Sequence, residues 1–427
     1  MKKYSYPAPS EWKALLTRPL MPVATISETV GAVLDAVRER GDEALREFEQ
    51  RFDGVTLTDL EVNESELAES ELLVSEELKH SISLAKQTIT IFHTAQDIKL
   101  PIVETAKGVT CWQKALPIEK IGLYIPGGTA PLFSTVLMLA IPASIAGCRE
   151  IVLCTPPGKN GKVHPAVLYA AKLAGVKHIF KVGGSQAIAA MAYGTESIPK
   201  VYKIFGPGNQ YVTTAKQLVS LRDVAIDMPA GPSEVEVLAD ETANPVFVAS
   251  DLLSQAEHGV DSQAMLITTS DSLAELVMKE VDRQVALLPR QEIALKSLAN
   301  SRIIVVRTLD EAIKATNDYA PEHLILSVKD SRATAECITN AGSIFLGYLT
   351  PESAGDYASG TNHTLPTNGY AKAYSGVNLD SFRKRITYQE ITAEGLKTIG
   401  PAVEIMAEAE ALTAHKNAVT LRLNTLK

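Results

Sequence analysis

The residues best suited to chemistry in this sequence are histidines that lie near amides or carboxylates. Gln255 and His258 are three positions apart, directly after an apolar run at residues 247–253 that predicts a helix. On a helix this spacing puts both side chains on one face, about 5–6 Å apart at Cβ. An amide oxygen and an imidazole in that arrangement could share a metal ion, and Gly259 would end the helix.

Two downstream segments pair a histidine with an acid. Glu322 and His323 are adjacent just before a predicted strand, and an adjacent acid and base suit proton transfer at neutral pH. Asp356 and His363 lie in a small, polar, aperiodic stretch at residues 353–363, which predicts an ordered loop of the kind that often carries function. Each segment alone also fits a structural role, as a turn carboxylate or a hydrogen-bonded histidine.

Glu410 and His415 lie in the C-terminal region, five positions apart. They do not share a face of an ideal helix, but they could flank one site. If the segments fold together, four side chains offer nitrogen and oxygen ligands without a thiolate: Gln255, His258, Asp356 and His415. Zinc accepts such ligands, and so would manganese or cobalt.

Glycine-containing turns at residues 127–128, 183–184 and 206–209 each follow a predicted strand and precede a helix. Backbone amides at such turns can approach an anion at the helix N-terminus. The sequence has no G-x-G-x-x-G fingerprint there and no acidic residue that can be assigned to a ribose. Ordinary strand-to-helix turns therefore remain the alternative.

The bulk composition limits the class of protein. A chain of 427 residues predicts two or more domains, and a net charge of −9 argues against a general nucleic-acid binder. The four cysteines form no C-x-x-C pair, which indicates a reducing compartment. No apolar segment follows the N-terminal lysines, and the longest apolar run is broken by Pro142, so we expect no signal peptide, no membrane span and a cytoplasmic location.

Alternating strand and helix patterns from residue 121 onward predict an α/β protein with parallel sheets. The predicted strands are 109–113, 121–125, 151–154, 178–182, 201–205, 235–238, 264–268, 302–306 and 324–328. The alternation falls into two α/β units, one at about 121–232 and a second that continues to about 380. We expect the helical region 27–97, which has no sheet of its own, to pack on the second unit. The predicted divisions are an arm at 1–23, a discontinuous domain at 24–120 and 233–380, a domain at 121–232, and a helical tail at 381–427.

Eight segments, taken together and in order, resemble the histidinol dehydrogenase family over essentially the whole chain. They are YIPGG at 124–128, VGGSQA at 182–187, FGPGN at 205–209, PAGPSE at 229–234, LSQAEHG at 253–259, PEHL at 321–324, GDYASGTNH at 355–363 and TAHKNA at 413–418. The resemblance implies two Rossmann-like domains with helices on both faces of each sheet. It also implies four-electron oxidation of L-histidinol, through L-histidinaldehyde, to L-histidine with two NAD reduced.

The resemblance further implies a role for each candidate residue. One zinc per subunit would be bound by Gln255, His258, Asp356 and His415. His323 would be the general base and Glu322 would activate the water that hydrates the aldehyde. Besides His323 and the zinc ligands, the substrate would contact Ser233, His363 and Glu410. NAD would contact Tyr124, Gln186 and Asn209.

The family resemblance also implies an intertwined homodimer, in which the C-terminal tail completes the site of the partner subunit. Glu410 and His415 would then act in trans. Three other functions remain open on the sequence: a zinc- and NAD-dependent dehydrogenase of another amino alcohol, a zinc hydrolase in which Glu322 activates metal-bound water, and a non-catalytic metal- or nucleotide-binding protein.

Overall fold

The structure is a computed structural model that describes residues 1–18, 23–127, 131–229 and 231–426. Residues 19–22 of the predicted arm, Gly128 and Ala230 lie outside the described residues. Over these ranges, no helix has both the length and the apolar character needed to cross a bilayer.

The strands form three sheets. In chain order they are β1 (Lys2–Ser5), β2 (Val103–Ala106), β3 (Val109–Pro117), β4 (Lys120–Tyr124), β5 (Glu150–Cys154), β6 (His178–Phe180), β7 (Lys203–Phe205), β8 (Ala225–Ile226), β9 (Glu234–Ala239), β10 (Gln263–Thr268), β11 (Arg302–Val305), β12 (His323–Ser327), β13 (Ser343–Leu346) and β14 (Arg383–Ile391).

Helices connect and cover these strands. They are α1 (Trp12–Leu15), α2 (Val23–Arg40), α3 (Asp42–Phe48), α4 (Glu64–Leu73), α5 (Glu76–Thr94), α6 (Phe133–Ala146), α7 (Pro165–Leu173), α8 (Gly184–Tyr193), α9 (Gln210–Ser220), α10 (Pro245–Ala256), α11 (Asp271–Val285), α12 (Gln291–Asn300), α13 (Leu309–Tyr319), α14 (Ser331–Ala335), α15 (Glu352–Tyr357), α16 (Ala393–Ala409) and α17 (Thr413–Thr425). A π-helical turn (Glu49–Asp53) follows α3, and 3-10 turns occur at Tyr370–Lys372 and Leu379–Phe382.

Two of the sheets are wholly parallel, as the alternating pattern predicted. One has the order β6-β5-β4-β7-β8 and the other the order β1-β11-β10-β9-β12-β13. In the second of these sheets the central strands β9 and β10 are short and buried at every position, as parallel strands between two helical layers require. The predicted α/β class with two parallel sheets is confirmed.

The predicted N-terminal arm contains a strand and the short helix α1. Residues Lys2–Ser5 form strand β1, which pairs in parallel with β11 from Lys2↔Arg302 to Ser5↔Val305. The exposed edge of β11 offers unpaired backbone groups, and any short extended segment can satisfy them. Because that pairing is made by the backbone, the polar sequence of the arm carried no sign of it.

The helical region at 27–97 packs on the first parallel sheet, so its predicted packing on the second unit is wrong. Helix α2 contacts α8 and α9, α4 contacts α7, and α5 contacts α6. Ile82 and Ile89 of α5 share one core cluster with Ile121 and Leu123 of β4. The assignment of these helices to the discontinuous domain at 24–120 and 233–380 is therefore corrected. Apolar residues at helical spacing predict that one face of a helix is buried, but they do not show which sheet that face packs toward.

The C-terminal region begins with a strand that the helical prediction missed. Strand β14 pairs antiparallel with β3, from Arg383↔Pro117 to Ile391↔Val109, and β2 completes this small sheet. From Ala393 onward the region is helical, as predicted. Helix α16 packs on α17 and contacts β2 and β14. Helix α17 has no buried residue, and the tail exposes Ile405, Met406 and Leu421.

One buried acid in the second sheet leads to a stability prediction. Glu236 of β9 is fully buried, and Thr316 donates a hydrogen bond to its Oε1. Its Oε2 finds no hydrogen-bond partner within the described part of the chain. Burial raises the pKa of Glu236 to about 8. In the unfolded chain Glu236 has the ordinary glutamate pKa. At pH values between that pKa and about 8, Glu236 keeps its proton in the folded protein and releases it in the unfolded chain.

We therefore expect the wild-type free energy of unfolding to fall as pH rises from about 5 to about 8 through this group. Glu236→Gln removes the titration, so its stability relative to wild type should improve over this range by on the order of a few kcal/mol. Urea unfolding of both proteins at the two ends of the range measures the effect. Glu241→Gln, at an exposed position, is the matched control. Parallel profiles for Glu236→Gln and wild type would contradict the prediction.

Candidate active site

The candidate catalytic pair lies where two neighbouring strands begin. Glu322 immediately precedes β12 and His323 is its first residue, opposite Val235 of β9 in the sheet register. Both side chains are buried, each with 4% of its surface exposed. Ligands of open α/β sheets usually bind beyond the carboxyl ends of the strands, so this position at the amino ends is unusual.

The backbone of Glu234 holds both members of this pair. Its N–H donates to Oε2 of Glu322 (2.9 Å), and its carbonyl oxygen lies 3.2 Å from Nδ1 of His323. A carbonyl oxygen only accepts, so Nδ1 carries the proton of the neutral ring. The other ring nitrogen, Nε2, is then an unprotonated acceptor. It is buried without a hydrogen-bond partner among the residues described, 3.8 Å from Oδ1 of Asp356.

Burial sets the charge states of the pair. It lowers the pKa of His323 below the ordinary histidine value, although the charge of Asp356 partly opposes this effect. The ring is therefore neutral at neutral pH, which is the form that can accept a proton. Burial raises the pKa of Glu322 well above its ordinary range, while the hydrogen bond from the Glu234 N–H works in the opposite direction.

A metal-binding group lies next to His323. One ligand atom each from His258, Glu352 and Asp356 lie within 4.8 Å of one another. Both amide atoms of Gln255, a residue only 1% exposed, are buried and have no hydrogen-bond partner in the described structure. Gln255 lies on α10, which contacts the helix α15 that carries Glu352 and Asp356. Unpaired buried amide atoms on a helix packed against these carboxylates fit a cation that has oxygen and nitrogen ligands.

Local structure around this group differs from the prediction in two places. Helix α10 begins at Pro245, where the Asn244 side chain accepts a hydrogen bond from Val246 N (2.9 Å), and it ends at Ala256. His258 therefore lies beyond the helix and does not share a helical face with Gln255. Asp356 lies on the short helix α15 and not in a loop. The segment is too short and too rich in small residues for its periodicity to reveal a helix.

Glu352 is the site residue that the sequence analysis missed. It is 1% exposed, and its Oε1 lies 3.5 Å from Nδ1 of His323. Burial raises its pKa well above the ordinary glutamate range, and the charge of Asp356 adds to the effect. Its position four residues before Asp356 on one helical turn was the only available signal.

Two predicted substrate contacts neighbour residues of this cluster: His363 contacts Asp356, and Ser233 directly precedes Glu234 in the chain. The His363 ring lies between Asp356 of α15 and Thr135 of α6. Its Nδ1 is 3.0 Å from the carbonyl oxygen of Asp356, and its Nε2 is 3.0 Å from Oγ1 of Thr135. Burial lowers the pKa of His363. Ser233 is half-buried directly before β9, and its carbonyl oxygen accepts a hydrogen bond from Gln263 N (3.2 Å).

Glu410 and His415 are not brought to this cluster within the chain. Glu410 follows α16, His415 lies on α17, and both are exposed. The metal-binding group found in the described residues does not include His415. The tail helices pack instead on each other and on the small antiparallel sheet.

The three residues predicted to contact NAD follow strands of the first parallel sheet or end them. The hydroxyl of Tyr124, at the end of β4, accepts a hydrogen bond from Gly184 N (3.1 Å). Gln186 is buried near the start of α8, and its Nε2 donates to Oε1 of Glu49 (2.9 Å). Asn209 is exposed and caps α9, with its Oδ1 accepting from Tyr211 N (3.0 Å) and Val212 N.

Gly206 allows the turn after β7 to approach the turn after β4 closely. Gly206 has a φ of +128°, and a Cβ added there would lie 2.1 Å from the carbonyl oxygen of Tyr124. Only glycine fits such an approach. The turns after β4 and β7 therefore meet at the carboxyl ends of adjacent strands, where the strand order of this sheet reverses direction. Nucleotides commonly bind at such a point in an α/β sheet.

Comparison with known proteins assigns the family. Residues 16–423 match the model of the family described as histidinol dehydrogenase. The chain belongs to the histidinol dehydrogenase family. A curated histidinol dehydrogenase of Bacteroides thetaiotaomicron is 68% identical over the full length of both chains, and one of Escherichia coli is 54% identical over 97% of this chain and 95% of its own. The crystal structure of histidinol dehydrogenase from Elizabethkingia anophelis covers 100% of this chain and 98% of its own, with a TM-score of 0.98 and 54% identity.

The family membership confirms the resemblance that eight sequence segments carried. It also confirms the predicted enzyme class: the chain is an oxidoreductase of the last steps of histidine biosynthesis. Use of NAD follows from the same membership. The metal identity, the individual residue roles and the subunit arrangement of this histidinol dehydrogenase family member remain predictions.

Proposed function

We propose that this chain oxidises L-histidinol to L-histidine, through L-histidinaldehyde, with two NAD reduced per substrate. The observation that carries the proposal is the buried, unpartnered Nε2 of His323 beside the group formed by His258, Glu352 and Asp356. Such an arrangement suits the oxidation of an amino alcohol: the cation would hold the nitrogens of the substrate, and the base would remove the hydroxyl proton.

Zinc is the proposed metal, with Gln255, His258, Asp356 and His415 as its protein ligands. When bound, it would hold the substrate by its imidazole and amino nitrogens and would not carry electrons. The unpaired amide of Gln255 supports this assignment. The crowded carboxylates of Glu352 and Asp356 also support it, because a divalent cation would offset their mutual repulsion.

His323 acts as the base in both oxidation steps. Its Nε2 takes the hydroxyl proton, and NAD, when bound, would supply the hydride acceptor for the carbinol carbon. The hydrogen bond between Nδ1 and the Glu234 carbonyl oxygen fixes the ring orientation and stabilises the imidazolium that forms. The same nitrogen serves again when the hydrated aldehyde is oxidised.

Glu322 activates the water that converts the aldehyde to its hydrate. Its carboxyl group lies beside the ring, with Oε2 3.6 Å from Nδ1 of His323. The closed site keeps the reactive aldehyde away from other nucleophiles until the second hydride has left. Ser233 and His363 contact the substrate, and Glu410 of the C-terminal tail contacts it as well.

NAD contacts Tyr124, Gln186 and Asn209 at the carboxyl ends of β4, β6 and β7. The meeting of these turns supports the assignment. Helices α8 and α9 begin directly after two of these turns, and a helix N-terminus suits the pyrophosphate.

The test is the number of NADH formed per L-histidinol consumed by purified, zinc-loaded protein with excess NAD. We expect two, followed by absorbance, with L-histidine as the product. One NADH would mean release at the aldehyde or a simpler dehydrogenase. No NADH, with substrate turnover independent of NAD, would favour a zinc hydrolase.

We also propose an intertwined homodimer in which Glu410 and His415 complete the site of the partner subunit. Both residues are exposed, the metal-binding group found in the described residues lacks His415, and the tail leaves apolar side chains uncovered. The predicted cytoplasmic location goes with this biosynthetic role and remains a prediction.

A complementation experiment tests the subunit arrangement. Each of His323→Asn and His415→Asn alone should be nearly inactive. In a co-expressed mixture, a heterodimer with tails acting in trans has one intact site, so about a quarter of wild-type activity should return by random pairing. Tails that act within their own subunit would leave every site damaged, and activity would not return.

A further inference from the structure

Arg18, the last described residue of the N-terminal arm, forms a buried ion pair beside the proposed active site. Its side chain is 13% exposed and that of Glu234 is 2% exposed. The guanidinium binds the Glu234 carboxylate in a two-point arrangement, through Nε to Oε2 and through Nη2 to Oε1 (2.7 Å). Such planar pairs fix direction as well as distance, which a lysine could not reproduce.

The same guanidinium also holds the turn that precedes the catalytic pair. Nη2 lies 2.8 Å from the carbonyl oxygen of Tyr319 and 3.3 Å from that of Ala320, where α13 ends with a left-handed residue. The guanidinium carbon also lies 3.9 Å from the centre of the Tyr319 ring. These carbonyls would otherwise be unsatisfied at a helix C-terminus. Glu322 follows Ala320 by two residues.

Arg18 therefore joins two segments that meet at the reacting groups. On one side Glu234 follows Ser233 and holds Glu322 and His323 through its own backbone N–H and carbonyl oxygen. On the other side the turn at Tyr319 and Ala320 sets where the chain enters β12. The arm itself is docked independently, because β1 pairs with β11 and Nη1 of Arg302 donates to the Thr17 carbonyl oxygen (2.9 Å).

We propose that Arg18 is a positioning residue for the dehydrogenase reaction: it fixes the Glu234 backbone that sets the orientation of Glu322 and the tautomer of His323. The inference rests on the proposed function of His323 as the base. It assigns a part in catalysis to an N-terminal arm that contributes no group in contact with the substrate.

The first test is the kinetics of Arg18→Ala with L-histidinol and NAD. We expect kcat to fall roughly 10- to 100-fold, because a small misplacement of a catalytic group has this effect. The KM for L-histidinol and the zinc content should change by less than about threefold, since no metal ligand or substrate contact is removed. Methylguanidinium added to Arg18→Ala should restore part of kcat, and it should not stimulate wild type.

Arg302→Ala is the matched control, because Arg302 ties the same arm to the sheet but does not contact Glu234. It should lower Tm without a comparable loss of kcat. Arg18→Lys keeps the charge and gives a folded protein if Arg18→Ala does not fold; it should still lower kcat, since an ammonium cannot bridge the carboxylate and both carbonyls. Equal loss of kcat in Arg302→Ala, or full kcat in Arg18→Lys and Arg18→Ala, would overturn the inference.

A crystal structure of the Arg18 variant separates this inference from the proposed function. If wild type does not oxidise L-histidinol, the function is wrong, and the crystal structure still decides the role of Arg18. We expect the hydrogen bonds from Glu234 N to Glu322 and from His323 to the Glu234 carbonyl oxygen to be lengthened or lost. Unchanged positions of Glu234, Glu322 and His323 would overturn the inference.

Discussion

His323→Asn should lower kcat for NADH formation from L-histidinol by about a hundredfold to ten-thousandfold while zinc remains bound. Asparagine can still donate a hydrogen bond to the Glu234 carbonyl oxygen, which His323 Nδ1 now contacts at 3.2 Å. It offers no nitrogen that can accept a proton in place of Nε2. Steady-state kinetics and the zinc content per subunit together measure this result.

The pH dependence of kcat/KM provides a second measurement of the same prediction. In wild type, activity should rise with pH through the pKa of His323, because only the neutral ring is a base. Burial lowers that pKa, so we expect this limb below the ordinary histidine range. The limb should vanish from the residual activity of His323→Asn.

His80→Asn is the control for this substitution, because His80 is exposed on α5, in the helical layer that packs on the other sheet. It should behave as wild type in both measurements. If His323→Asn keeps most of the wild-type kcat, another group is the base. Glu352, which lies 3.5 Å from the same ring, would be the first alternative.

His258→Asn should lose metal and activity together. Its imidazole lies in the group with Glu352 and Asp356, and no other histidine in the described chain belongs to that group. Changes to residues that only support metal ligands typically cost 10- to 100-fold in metal affinity, so loss of a ligand should cost at least about a hundredfold. Zinc content after dialysis against a weak chelator measures the affinity, and added zinc should restore part of the activity.

His363→Asn is the matched control within the same site. Its ring nitrogens contact the Asp356 carbonyl oxygen and Thr135 and are not part of the metal-binding group. It should keep zinc through the same dialysis and raise the KM for L-histidinol. Retention of zinc by His258→Asn at wild-type affinity would show that the metal is bound elsewhere.

Local sequence patterns were enough to predict the fold class and the family, and they supplied the candidate site residues. Period-two and period-3.6 patterns are local, so the central strands and helices could be predicted from neighbouring residues alone. The pairing of Glu322 with His323, and the spacing of Gln255 from His258, are likewise local and pointed to proton transfer and metal binding. Their joint occurrence with six other segments indicated histidinol dehydrogenase, which the family match confirms.

Only the tertiary structure decided which surfaces meet. Local patterns predicted helices within residues 27–97, but they could not show that Ile82 and Ile89 of α5 join the core of the first parallel sheet. Strand β1 pairs through its backbone, so its side chains carried no signal. Glu352 and Arg18 acquire their roles from partners far away in sequence, respectively His323 and Glu234. The tautomer of His323 likewise depends on a carbonyl oxygen that another strand supplies. Such contacts arise when separate segments are brought together in space, and no local pattern encodes them.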